Sequence, residues 1–271
     1  MISIITPVYN GDRFIEACIK NVIEQNCSEI EHIIVDGDSK DRTVEIIKLY
    51  AYKYPHIRWI SEKDKGQSDA MNKGIAMAKG EILGILNVDD FYEPNVLNRV
   101  LEIFKDLPEP SLLVGNCNIW GNNGHINNVN KPSRLKLEDL LLGSDINPFP
   151  ANPSAYFYHT SLHQIIGMYK VDEDYAMDLD FILRSVKHAT VKYVDEVWGN
   201  FRLIEGTKTF NNVKTGRNIK SKKLIFDLYR KELSLSKRTV LVSKIYFFRT
   251  LMKIKKKVKY LKNKYKLYSK I

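Results

Sequence analysis

Cysteine is scarce in this chain of 271 residues: Cys18, Cys27 and Cys117 are odd in number, and none stands in a CxxC pair. Neither a disulfide framework nor a cysteine zinc site is therefore expected. Apolar runs are short, and none approaches the roughly 18 residues a membrane-spanning helix needs. The chain opens almost at once on the apolar residues 2–8, with no basic stretch leading into them. That predicts retention in the cytoplasm. No GxxxxGK[ST] and no GxGxxG follows the first apolar run, which weakens the ordinary ATP, GTP and dinucleotide readings. There is no HExxH, no nucleophile elbow and no Cys–His arrangement, and the six histidines show no metal-ligand spacing.

Acidic residues become rare beyond residue 216. From Arg217 onward about 19 Lys and Arg face only Asp227 and Glu232, so the net charge of +10 divides into a tail near +17 and a body near −7. Residues 216–271 are thus expected to form a basic helical extension on an acidic body. Leu224, Ile225, Leu228 and Tyr229 fit one amphipathic helix, and residues 245–268 interleave Lys and Arg with aromatic and aliphatic side chains. This composition suits an anionic membrane surface. The competing readings are a helix that packs on the body or pairs two copies, and a nucleic-acid-binding arm. The acidic body argues against nucleic acid.

The first hundred residues alternate as parallel βα units do. Strands are expected at 3–8, 32–35, 58–60 and 81–86, with helices carrying Ile15, Ile19, Val22 and Ile23, then Val44, Ile47 and Tyr50, then 69–79. Each strand delivers polar groups at its C-terminal end: Thr6 and Tyr9, Asp36 and Ser39, Glu62 and Asp64, Asp89 and Asp90. Ligands of open α/β sheets bind outside those ends. The last pair closes the run Gly84-Ile85-Leu86-Asn87-Val88-Asp89-Asp90. Two adjacent carboxylates at a buried strand end repel, so they call for a cation or a helix to cap. Taken alone, the cap of a helix over 93–104 and a Mg²⁺ or Mn²⁺ site are equal readings. Four polar strand ends in series favour the cation. Residues 111–210 are less regular. Strands are expected at 112–118, 155–158 and 190–194 and a helix at 175–187, on which Asp178 and Asp180 point about 200° apart.

Several segments in order carry a resemblance: Ile4-Ile5-Thr6-Pro7-Val8-Tyr9-Asn10; Val35-Asp36-Gly37-Asp38-Ser39-Lys40-Asp41-Arg42-Thr43; Glu62-Lys63-Asp64-Lys65-Gly66-Gln67-Ser68-Asp69-Ala70-Met71-Asn72; Leu86-Asn87-Val88-Asp89-Asp90; and Tyr175-Ala176-Met177-Asp178-Leu179-Asp180. Over roughly residues 1–210 the chain resembles glycosyltransferase family 2. The resemblance implies a GT-A fold, an α/β architecture with a Rossmann-like, mostly parallel sheet flanked by helices. Its catalytic domain would span 1–215, with a nucleotide-sugar half at 1–110 and an acceptor half at 111–215. It further implies an inverting transfer from a nucleoside-diphosphate sugar, with UDP favoured, to a hydroxyl of a glycan or lipid-linked glycan of the cell surface (O-antigen, capsule or exopolysaccharide). The enzyme would work peripherally at the inner face of the membrane.

Residue by residue, the resemblance implies that Asp36 accepts from a uracil N–H and that Thr6, Pro7 and Tyr9 wall the base. Asp64 and Lys65 would lie by the uridine and diphosphate, and Asp69 and Asn72 match in position. Asp89 and Asp90 correspond to the metal-binding acidic motif for Mn²⁺ or Mg²⁺, with Asn87 where many relatives have Asp. Asp178 would be the general base, with Asp180 in reserve and Met177 where many relatives have Glu. Arg202 and Lys208, beside a loop over 206–209, would neutralise phosphate. The alternative enzyme class, a nucleotidyltransferase, would need a phosphate loop where Tyr9-Asn10-Gly11-Asp12 stands.

Overall fold

A computed structural model describes residues 1–173, 176–205 and 207–268, excluding the side chains of 208, 212–214, 217, 218 and 259–268. The apolar run at the start forms β1 (Ile2–Val8), every residue of it buried. A strand buried on both faces belongs at the centre of a parallel sheet. β1 is paired in parallel with β2 (Ile30–Asp36) on one side and β4 (Ile82–Ile85) on the other, and β3 (Ile57–Ser61) lies outside β2. The register sets Val8 opposite Asp36 and Asp36 opposite Ser61, so three strands end level. Helices α1 (Ile15–Ile23), α2 (Thr43–Lys53) and α3 (Gln67–Met77) are the crossovers between them. In α1 the buried Ile15, Cys18, Ile19 and Val22 keep the helical spacing read in the sequence.

After β4 the chain departs from the expected pattern. A two-residue strand β5 (Phe91–Tyr92) intervenes before α4 (Val96–Phe104), whose first turn follows Asn95. Neither Asp89 nor Asp90 caps that helix. The second half adds β6 (Ser111–Trp120), β7 (Ile126–Asn130), α5 (Leu137–Leu140), β8 (Tyr156–His159), α6 (Leu162–Ile166), α7 (Met177–His188) and β9 (Thr190–Arg202). Among the described residues the strands form one nine-stranded sheet in the order β3-β2-β1-β4-β8-β6-β9-β5, with β7 on β6. β9 is far longer than the expected 190–194, and its extra length carries Arg202 back to the end of β5. The three cysteines are buried and free.

The basic segment forms α8 (Lys208–Thr215), α9 (Arg217–Glu232) and α10 (Leu235–Tyr268). Ile225, Phe226 and Tyr229 of α9 and Leu241 of α10 are buried in the same core as Tyr156, Phe181 and Leu183. Lys237–Glu138 at 2.9 Å and Arg249–Asp145 at 3.2 Å tie α10 to the second half. The basic helical extension therefore packs on the body through α9 and the start of α10, one of the readings its sequence left open. Among the described residues no helix is long and apolar enough to cross a membrane.

Candidate active site

A cavity of about 660 Å³ opens at the C-terminal ends of β1 and β4, lined by Pro7, Tyr9, Asp64, Gln67 and Asp89 among others. Of the residues expected to touch substrate, these four (Pro7, Tyr9, Asp64 and Asp89) share that wall. Thr6 does not. Side chains alternate along a strand, and Thr6 points into the core, where its hydroxyl meets His32 Nε2 at 2.9 Å and is fully buried. Lys65 is exposed, and its backbone N–H donates to Asp69 Oδ2 at 3.0 Å. Asp69, the third residue of α3, thus reaches back past the Gly66 cap to hold the incoming loop, and it also meets Lys73 at 3.8 Å. Asn72 clasps the backbone of Tyr169 through both of its amide atoms, at 2.8 and 3.0 Å, joining α3 to the second half.

Much of the 36–43 motif wires loops together. Asp36 is fully buried and accepts from the Ser39 N–H at 3.0 Å, from the Ser39 hydroxyl and from the Ser61 hydroxyl at 2.7 Å. Ser39 Oγ accepts the Asn10 N–H at 2.7 Å, and Thr43 Oγ1 accepts the Gly11 N–H at 2.8 Å. Asp41 takes the N–H groups of Asp12 and Thr43. These bonds fix the loop after β1, which carries Tyr9 to the cavity.

Asp89 and Asp90 are adjacent in sequence but differ in setting. Asp89 lines the cavity. Asp90 lies behind it, 1% exposed, and accepts from Asn87 Nδ2 at 3.0 Å, Asn152 Nδ2 at 2.8 Å and the Arg202 N–H at 3.1 Å. Burial raises the pKa of both, and Asp89's charge pushes Asp90 further. Arg202 donates through Nε to the Asp89 carbonyl, with its guanidinium 5.7 Å from the rings of Phe14 and Phe91. It therefore braces the acidic pair from outside the cavity wall. Among the described residues no three His, Cys, Asp or Glu side chains converge as a closed metal cage. One cavity-facing carboxylate does suit a cation that takes its other ligands from a diphosphate and water.

In the second half, Ser68 Oγ contacts Met177 Sδ at 3.1 Å and holds the start of α7 against the N-terminus of α3, beside Gln67. Asp178, next in line, is half-buried and accepts from Tyr156 Oη at 3.3 Å. Lys222 of α9 lies 4.8 Å from the Phe149 ring; burial lowers its pKa, and the charge of Asp178 opposes that. Asp180 is 2% exposed and paired with Lys170 at 2.8 Å and Arg184 at 2.9 Å, with Tyr229 Oη at 3.4 Å. That carboxylate is engaged in joining α7 to its neighbours. The side chain of Lys208 and residue 206 lie outside the described residues.

Sequence reasoning missed Arg13, Gln67 and Glu205, which also line the cavity, as do Thr207 and Thr209 of the expected loop, and Asn152, which reaches Asp90 across 62 residues. Arg13 and Glu205 read as ordinary surface charges, and nothing local distinguishes them. Gln67 stood inside a quoted motif.

Comparison with known proteins fits this geometry. The model described as "Glycosyl transferase family 2" matches residues 3–160. The chain is 29% identical over 213 residues to chondroitin synthase of Escherichia coli, covering 77% of this chain and 30% of that protein. It is 32% identical over 188 residues to an uncharacterized glycosyltransferase of Mycobacterium tuberculosis, covering 68% of each. The match thus spans about a third of the length of the chondroitin synthase. Among solved structures, S. aureus TarS 1-349 in complex with UDP-GlcNAc superposes with a TM-score of 0.68 at 18% identity, over 90% of this chain and 71% of that one. The mannosyltransferase PcManGT from Pyrobaculum calidifontis, in complex with GDP-Man and Mn2+, gives 0.55 at 15% identity, over 92% and 82%. At such identities the likeness is one of fold: the GT-A arrangement.

Proposed function

The chain belongs to glycosyltransferase family 2, and from that premise we propose that it moves a sugar from a nucleoside-diphosphate sugar, with UDP favoured, to an acceptor hydroxyl with inversion. The observation that carries this reading is the cavity at the strand ends, with Tyr9 and Pro7 on one wall and Asp64 and Asp89 beside the start of α3. A ring wall suits a base, and the amino end of a helix suits a diphosphate. Asp89 is the residue that would hold a Mg²⁺ or Mn²⁺ ion shared with the diphosphate, with Asp90 supporting it from behind. Bound there, such an ion would neutralise charge on the leaving diphosphate.

Asp178 is the proposed base. In one displacement the acceptor oxygen bonds to the anomeric carbon, the bond to the diphosphate breaks, and Asp178 takes the hydroxyl proton. The Tyr156 hydroxyl orients that carboxylate. The 1–215 catalytic domain is part of the same proposal, extended by α9, because Lys222 and Tyr229 reach α7 and its surroundings.

The acceptor we propose is a lipid-linked or growing surface glycan at the cytoplasmic face of the membrane. Support comes from α10, which has 12 Lys or Arg and no acidic residue over 235–268. Leu241, Ile245 and Phe248 pack inward, while Val240, Tyr246, Phe247 and Ile254 are exposed. An apolar outer face among lysines suits an anionic bilayer. A donor screen tests the whole reading: sugar release from UDP-, GDP- and dTDP-sugars with Mg²⁺, Mn²⁺ and EDTA. Turnover of one donor, lost in EDTA and in Asp89→Ala, is expected. Inertness toward every nucleotide sugar would overturn it.

A further inference from the structure

Asp36 and Asp64 follow neighbouring strand ends, and only one of them presents carboxylate oxygen to the cavity. Asp36 is fully buried and absent from the cavity wall, with both oxygens already accepting from Ser39 and Ser61. Asp64 lines the cavity with Pro7 and Tyr9. Its Oδ1 accepts the Gly66 N–H at 2.9 Å, which fixes the side chain. Its Oδ2 accepts no hydrogen bond among the described residues and lies over Gly37. A Cβ added to Gly37 would come within 2.5 Å of that oxygen and 3.4 Å of the Tyr9 ring. Oδ2 thus occupies space that any side chain at position 37 would claim, and it does so beside the exposed ring of Tyr9.

We propose that Asp64, admitted by Gly37, is the group that reads the nucleotide base, accepting a ring N–H from a base held against Tyr9. The inference rests on the proposed use of a nucleotide donor, and it moves base selection from the motif after β2 to the loop after β3. The chemistry selects sharply. Uracil, thymine and guanine offer a ring N–H beside a carbonyl. Cytosine and adenine offer a ring nitrogen lone pair at the corresponding edge, which a carboxylate repels. Exchange of one charge-assisted hydrogen bond for such a repulsion is worth roughly 10- to 100-fold in affinity.

The test is calorimetric binding of UDP, N3-methyl-UDP, GDP and CDP to the full chain. Wild type is expected to bind UDP or GDP about 10-fold or more tighter than CDP, and N3-methyl-UDP weakly if UDP is preferred. In Asp64→Asn the amide keeps the acceptor for Gly66 and turns a donor toward the base, so the preference should collapse or shift toward CDP. The exchange Gly37→Asp with Asp64→Asn should return a carboxylate to the same space and recover the preference. A preference for UDP or GDP that survives Asp64→Asn would overturn the assignment. So would CDP bound as tightly as UDP and GDP, or loss of preference in a folded Asp36→Asn variant. Failure of all four nucleotides to bind would instead overturn the donor reading beneath it.

Discussion

The side-chain amide of Asn87 donates to Asp90 Oδ2 at 3.0 Å while its own oxygen accepts from Gln67 Nε2 at 2.8 Å. An amide at this position serves both neighbours, as donor to the one and acceptor to the other. A carboxylate in its place would give up the amide donor to Asp90 and set a further negative charge against an enclosed pair whose pKa values burial already raises. Asn87→Asp is therefore expected to destabilise the protein by about 1–3 kcal/mol, through the lost donor and the added repulsion. At this chain length that is a drop of several degrees in melting temperature. Mg²⁺ or Mn²⁺ should recover part of it. A variant as stable as wild type without metal would contradict the role given to Asn87.

Two carboxylates on one helix should separate cleanly by measurement. Asp178→Asn is expected to lower transfer by about 10²–10⁴-fold with the melting temperature and donor binding kept, as for removal of a general base. Asp180→Asn breaks a buried cluster with Lys170 and Arg184, and breaking a buried pair costs about 3–5 kcal/mol. Its signature is a lower melting temperature. If Asp178→Asn lost stability and kept its rate, the assignments would have to be exchanged.

His32 gives a pH dependence with a definite sign. It is fully buried, bonded to Thr6, and burial lowers its pKa to about 3. The unfolded chain takes a proton at His32 below about pH 6.5, whereas the folded chain does not. Stability from this residue is thus present above pH 6.5 and is lost as pH falls toward 3, at up to about 1.4 kcal/mol per unit. Asp89 and Asp90, whose pKa values are raised, slope the opposite way across part of that window. The measurement is therefore the difference between wild type and His32→Gln. Wild type's advantage should shrink as pH is lowered from 7 to 4. A difference constant with pH would show that His32 is not held neutral.

The first hundred residues were legible because apolar runs, helical spacing and strand-end polar residues all report local structure. β1 through β4 and the three helices between them follow that reading. Two kinds of residue were not legible. Asp36, Asp41 and Thr43 belong, like Asp64, to the segments that carry the resemblance, yet they spend their oxygens on neighbouring loops. Type and spacing do not distinguish a buried acceptor from one facing a cavity. Asn152 and Lys222 reach the site through long-range packing, and no local period announces that. How the tail seats on the body was left open between packing and lipid for a related reason. Its charge dominates its composition, while the four apolar residues that seat it, Ile225, Phe226, Tyr229 and Leu241, are spread over two helices.

Those buried residues define the last prediction, because α10 has one face against the body and another away from it. Leu241 is 3% exposed, whereas Tyr246 is 76% and Phe247 58% exposed. Leu241→Ala should cost about 2–5 kcal/mol, as removal of a buried leucine does, and should loosen the helix from the body. Replacing Tyr246 and Phe247 by glutamate removes no buried contact of that kind, so the melting temperature should hold within about a degree. The same double change sets negative charge and polarity on the face offered to lipid. Co-flotation with vesicles containing phosphatidylglycerol should fall at least several-fold, and raising salt should weaken wild-type binding as screening sets in. Neutral phosphatidylcholine vesicles should bind little in either case. Equal flotation of wild type and the double variant on anionic vesicles would remove α10's outer face as the membrane contact. Its lysines would then belong to a solvated helix.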